Sequence, residues 1–140
     1  MRQVIITKEP VTLTGNSAIL PKDLVERLED GRKDELQQQL AKVSNPDSCK
    51  INPAPWHPIE ERGYQAVFSW NEEKAPEIVD QNYKTLTDQK LSMDSKITAK
   101  LIFVQTGYFI KDEGIVGTRL SLKGLQIIHD HGTIRDPWKD

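Results

Sequence analysis

The chain has 140 residues, 36% apolar and 29% charged, which suits one globular domain with a real core and excludes a disordered or low-complexity chain. Its net charge of −2 means that any basic surface is a local patch balanced by acid elsewhere. The single cysteine, Cys49, excludes an internal disulfide, and no apolar run reads as a signal peptide or a membrane span, so a cytosolic protein is expected.

Gln3–Lys8 is β-rich and reads as a strand. Pro10–Thr14 alternates and reads as a second strand or its continuation, closed by the turn signal Gly15-Asn16. From Pro21 to Val43 the apolar period becomes helical. Leu24 and Leu28 are four apart, as are Leu36 and Leu40, and Pro21 suits a first helical position. Gly31 is expected to end or kink this segment, giving one broken helix or two short ones. Residues 44–63 carry Pro46, Pro53, Pro55 and Pro58, which argues against regular structure for most of them. Trp56 in this stretch either packs over a core edge or offers a stacking platform.

Tyr64–Trp70 reads as a strand with Tyr64, Ala66, Phe68 and Trp70 on one face. Asn71–Pro76 is a turn, Ile78-Val79 a brief extended piece, and Gln81–Ser95 a polar connection. Lys96–Ile110 is a long strand with a bend or bulge expected at Gly107. Lys111–Gly114 is a hairpin turn, and Gly117–Ile128 is the return strand. On that strand Leu120 and Leu122 are even-numbered, whereas Leu125 and Ile127 are odd. One inserted residue at a bulge by Gly124 repairs the slip. Few strands, bulge glycines and one helix predict a mainly β fold: a small, partly open β-barrel with a helical insertion at about 21–43. Residues 1–130 form the domain, and 131–140 a short flexible tail.

Charge is unevenly placed. Lys96–Ile128 holds five cations, Lys96, Lys100, Lys111, Arg119 and Lys123, against Asp112 and Glu113, a net of +3. Residues 60–94 hold eight acids and four cations, a net of −4. Arg119, Ser121 and Lys123 alternate with Leu120 and Leu122, so one strand face carries two cations and no acid. That face suits a track for phosphates.

Two pieces carry a family likeness. GYQAVFSW is followed closely by KAPEIVDQNYKTLTD, and SKITAKLIFVQTGYFIKDEGIVGTRLSLKGLQII comes after. In order and spacing, Val79-Asp80, Ser95-Lys96-Ile97, Tyr108, Gly117 and Leu125-Gln126-Ile127 resemble the phage-type single-stranded DNA-binding proteins. These are the OB-fold replication and annealing proteins of tailed phages. The likeness spans roughly residues 63 to 130 at pattern level, and the early helix fits it. It implies an OB-like barrel that is not an enzyme, needs no cofactor or metal, and binds single-stranded DNA with little sequence preference. It also implies phage or mobile-element replication, recombination or annealing as the setting, with a homodimer and replication or recombination proteins as partners. The C-terminus departs from the acidic tail of such proteins: Asp130–Asp140 holds three acids and two cations, with Trp138 between Asp136 and Asp140.

A binder of single strands needs cations for phosphates and aromatics for bases. Lys96, Lys100, Lys111, Arg119 and Lys123 are the expected phosphate contacts. Tyr108, Trp70, Tyr64 and Trp56 are the candidate stacking residues, Tyr108 first among them. A protein-docking module of the same fold is the alternative. A Mg²⁺-dependent nuclease is a third reading, from Pro46-Asp47 with Glu72-Glu73-Lys74, but these residues are expected to lie in separate loops. His129-x-His131 supplies too few ligands for a structural metal.

Overall fold

The structure, a computed structural model, describes residues 4–59, 63–71, 73–86 and 96–130. In chain order the elements are β1 (Val4–Ile6), β2 (Val11–Thr14), β3 (Ser17–Leu20), α1 (Lys22–Leu40), β4 (Lys50–Ile51), β5 (Trp56–Ile59), β6 (Gly63–Ser69), β7 (Glu77–Val79), β8 (Lys96–Ile110) and β9 (Ile115–Asp130). A short 3₁₀ turn spans Pro46–Ser48.

The fold is an OB-like barrel. Strand β8 pairs with β2, β2 with β3, β3 with β6, β6 with β9, and β9 returns to β8. The ring is therefore closed rather than partly open. Its closing seam is narrow: β6 and β9 run parallel and pair only at Phe68↔Leu120 and Ser69↔Ser121. The long β8–β9 hairpin is the opposite extreme, paired from Ile97↔Asp130 to Ile110↔Ile115. Strands β1, β5, β4 and β7 decorate the edges of this ring.

Alternation along the strands fills the barrel. Leu13, Leu20, Ala66, Phe68, Ile97, Leu101, Phe103, Leu120 and Leu122 are all buried, with Phe68 and Phe103 meeting edge to face at 5.1 Å. Each large side chain so buried contributes about 1.5–3 kcal/mol. The slip in alternation is resolved by a bulge, as expected, but the inserted residue is Lys123 and not Gly124, the natural occupant in sequence. Ile102 pairs with Gly124 and Phe103 with Leu122, so Lys123 is the extra residue of a β-bulge. Leu120 and Leu122 before it, and Leu125 after it, can then all face inward.

Several local expectations are corrected. The helix runs unbroken through Gly31, with Pro21 as its N-cap residue rather than inside the first turn. It buries Leu24, Val25, Leu28 and Leu36 against the barrel, and also Glu35 and Gln39 from the polar side. Gly107 sits in continuous pairing with Thr118, so it marks neither bend nor bulge. It is small because α1 crosses there. A Cβ at Gly107 would lie 2.8 Å from Gln39 Cγ, and the Gly107 N–H donates to Glu35 Oε2 at 3.1 Å. The proline-rich stretch contains β5, which pairs only with β6 and so tolerates Pro58 as an edge strand. Ser17–Leu20 adds β3, a strand hidden between the Gly15-Asn16 turn and Pro21.

Candidate nucleic-acid interface

The outward face of β8 and β9 is the floor of a groove. Pairing sets Thr106 opposite Arg119, Val104 opposite Ser121 and Lys100 opposite Gln126, all turned away from the core. Lys100, Arg119 and Lys123 thus share one side of the hairpin, as the sequence pattern implies.

The bulge at Lys123 places that side chain between two lobes. One lobe, a cavity of about 450 Å³, is lined by Ser69, Trp70, Asn71, Lys74, Arg119 and Ser121 as well as Lys123. Trp70 is half-buried at the end of β6, so its indole forms part of the wall while resting on the core. The other lobe, about 740 Å³, is lined by Lys8, Lys100, Lys123, Glu77, Tyr83 and Ile102, among others. Glu77 is the single acid on either wall among the described residues, and one of its oxygens already accepts a hydrogen bond from Thr85 Oγ1 at 2.9 Å. Among the described residues, Lys8, Lys74, Lys100, Arg119 and Lys123 against Glu77 give a net of +4 along the two lobes, in a chain whose total is −2.

Tyr83 stands on the rim of the larger lobe and is 76% exposed. A tight turn holds it there. Asp80 Oδ1 accepts from the Asn82 N–H at 2.8 Å and the Lys84 N–H at 3.0 Å, and the Tyr83 N–H donates to the Asp80 carbonyl at 3.0 Å. Gln81 Nε2 then ties the turn to the Ile128 carbonyl of β9 at 2.8 Å. Tyr83 itself adopts φ 65°, a left-handed conformation that non-glycine residues rarely take. A bulky aromatic kept in that conformation and pointed into solvent is a presented group, not a packed one.

This barrel is found in a solved structure. The crystal structure of gp2.5, a single-stranded DNA-binding protein encoded by bacteriophage T7, superposes with a TM-score of 0.65 and 13% identity, covering 93% of this chain and 88% of that one. The two chains share a fold. It is the fold that the resemblance in residues 63–130 implies, and the likeness extends well beyond those residues. No family model matches the chain, and no curated protein matches it in sequence.

The sequence-predicted residues do not all gather here. Lys100, Arg119, Lys123 and Trp70 line the groove. Lys96 begins β8 opposite Thr14, and Lys111 lies in the hairpin turn; both are exposed and outside the two lobes. Tyr64 is half-buried against the core. Trp56 is not a stacking platform. It is 6% exposed, and its indole N–H donates to Glu29 Oε1 of the helix at 2.7 Å. Tyr108 is half-buried, and Arg119 lies over its ring.

Three lining residues escape the sequence reading as nucleic-acid contacts. Lys8 reads as the end of a strand, Lys74 is masked by its acidic neighbours Glu72 and Glu73, and Tyr83 falls in a polar connection. For Tyr83 a signal exists: Asp80-Gln81-Asn82 after a strand is an Asx-turn pattern that displays its next residue. The nuclease residues do not converge. Asp47 lies in the exposed 3₁₀ turn and Lys74 in the smaller lobe; Glu72 is outside the described residues. Among the described residues no three His, Cys, Asp or Glu side chains cluster to hold a metal. No helix among them is long and apolar enough to cross a membrane. His131 and the expected tail, residues 131–140, lie outside the described residues.

Proposed function

We propose that this protein binds single-stranded DNA along the β8–β9 groove with little sequence preference, serving strand protection or annealing in phage or mobile-element replication and recombination. One observation carries the reading. Among the described residues, five cations and a single acid line a groove with an aromatic in each lobe, Trp70 and Tyr83. Lys8, Lys74, Lys100, Arg119 and Lys123 neutralise phosphates. Bases stack on Tyr83 and against Trp70, each aromatic contact being worth roughly 1–3 kcal/mol. Ile6 and Ile102, exposed on the larger lobe, give the bases an apolar floor. Nothing in this arrangement asks for base-edge recognition, because phosphates and π-faces are common to every sequence.

The test is a titration of fluorescent oligo(dT) of about thirty nucleotides at several salt concentrations, following anisotropy and tryptophan emission together. With about 0.7 counterions released per neutralised phosphate, five contacts give a log–log salt slope of roughly −3 to −4. Binding with that slope and with quenching supports the reading. Absence of binding at low salt refutes it, and a salt-insensitive protein partner would then identify the docking module.

A further inference from the structure

Tyr108 has the look of a stacking residue, but its ring is already engaged. It pairs across the hairpin with Gly117 and lies over that glycine so closely that a Cβ there would sit 2.5 Å from the Tyr108 hydroxyl oxygen. The guanidinium carbon of Arg119 is 4.7 Å from the ring centroid. The hydroxyl oxygen accepts a hydrogen bond from Asn52 Nδ2 at 2.8 Å. Asn52 is itself fixed. Its backbone N–H donates to the Val116 carbonyl at 2.8 Å, and its own carbonyl accepts from Arg32 Nη2 of α1 at 2.6 Å. A chain of contacts therefore runs from the helix through Asn52 and Tyr108 to Arg119 on the groove wall.

We infer that Tyr108 and Asn52 are positioning residues: they hold the Arg119 guanidinium over an aromatic face so that its N–H groups meet a phosphate in the Trp70 lobe. A guanidinium stacked on a ring keeps its in-plane donors available, and a planar fork fixed in advance loses less freedom on binding a phosphate. The inference rests on the DNA-binding reading above, and it gives Tyr108 a role opposite to that of a base platform.

The salt slope separates the two roles, because a lost base stack removes no ion contact while a lost phosphate contact removes about 0.7 from the slope. Oligo(dT) binding is measured across salt for the wild type, Arg119→Ala, Tyr108→Leu and the double variant. Both single variants are expected to bind roughly fivefold to tenfold more weakly at low salt with a shallower slope, and the double variant no more weakly than Arg119→Ala. Asn52→Ala and Tyr108→Phe keep the ring over Gly117 and break only its anchor. Each is expected to give a smaller loss with the same shallowing, and they carry the test if Tyr108→Leu does not fold. An unchanged slope in the Tyr108 and Asn52 variants, or losses that add to Arg119→Ala, would overturn the inference while leaving DNA binding intact. A wild-type protein that does not bind oligo(dT) would overturn the functional reading itself.

Discussion

Tyr83→Gly should weaken binding while leaving stability almost unchanged. The side chain is 76% exposed, so removing it gives up little buried area. The backbone at φ 65° costs a non-glycine residue about 1 kcal/mol or more, which glycine relieves. Glycine also gains about 0.5–1 kcal/mol of unfolded-state freedom, which opposes that relief. The two nearly cancel, and the folded state is expected within about 0.5 kcal/mol of wild type, or roughly 2 °C in Tm for a domain of this size. Binding should respond quite differently. Loss of one base stack costs roughly 1–3 kcal/mol, a fivefold to 150-fold weaker Kd, with the salt slope unchanged because no charge is removed. Thermal unfolding and oligo(dT) anisotropy on the same preparation check both halves. A Kd within twofold of wild type would refute Tyr83 as a stacking residue. A Tm lower by more than about 5 °C would show that the turn depends on the side chain it presents.

Lys123 stands at the junction of both lobes, so Lys123→Ala should shallow the log–log salt slope by about 0.7, whereas Lys111→Ala, in the hairpin turn outside both lobes, should leave it unchanged; titrations across salt compare them. Trp70→Phe should remove more of the emission quenching on oligo(dT) binding than Trp56→Phe. The latter should instead lower stability by about 1 kcal/mol through loss of the Glu29 hydrogen bond, read by denaturant unfolding. Gly107→Ala drives a methyl to within 2.8 Å of Gln39 Cγ and 3.1 Å of the Glu35 carbonyl, and should destabilise the fold by about 1–3 kcal/mol in the same unfolding assay.

Periodicity made the hairpin legible. Alternation in Lys96–Ile110 and Gly117–Ile128, with the slip at Gly124, gave both long strands, their shared basic face and the bulge. Those are local properties, set by which side of a strand a residue faces. What stayed hidden depends on distant partners. Gly31 and Gly107 look like breakers in sequence but are contact points between α1 and β8, and no local rule separates a glycine that ends an element from one that lets another element approach. Trp56 could be core or platform until the helix supplied Glu29 as a partner for its indole. Tyr108, near the hairpin tip, reads as a stacking residue, yet Asn52, 56 positions away, takes hold of its hydroxyl. Lys8 and Lys74 join the groove only because β1 and the turn after β6 border the same strands, which charge counted along the chain does not reveal.

The two-pair seam between β6 and β9 joins strands distant in sequence, whereas the equally short β2–β3 pairing is tied by the Gly15-Asn16 turn, and the Trp70 lobe lies across the β6–β9 joint. Ser69 and Trp70 come from its β6 side, and Arg119 and Ser121 from its β9 side. A strand bound in that lobe acts as a splint, gripping both halves only while they stand side by side. By mass action, whatever affinity depends on the closed ring is returned to the ring as resistance to opening. Under the proposed function, bound DNA and the fold share one free energy: the β6–β9 seam is hardest to open when the groove outside it is occupied.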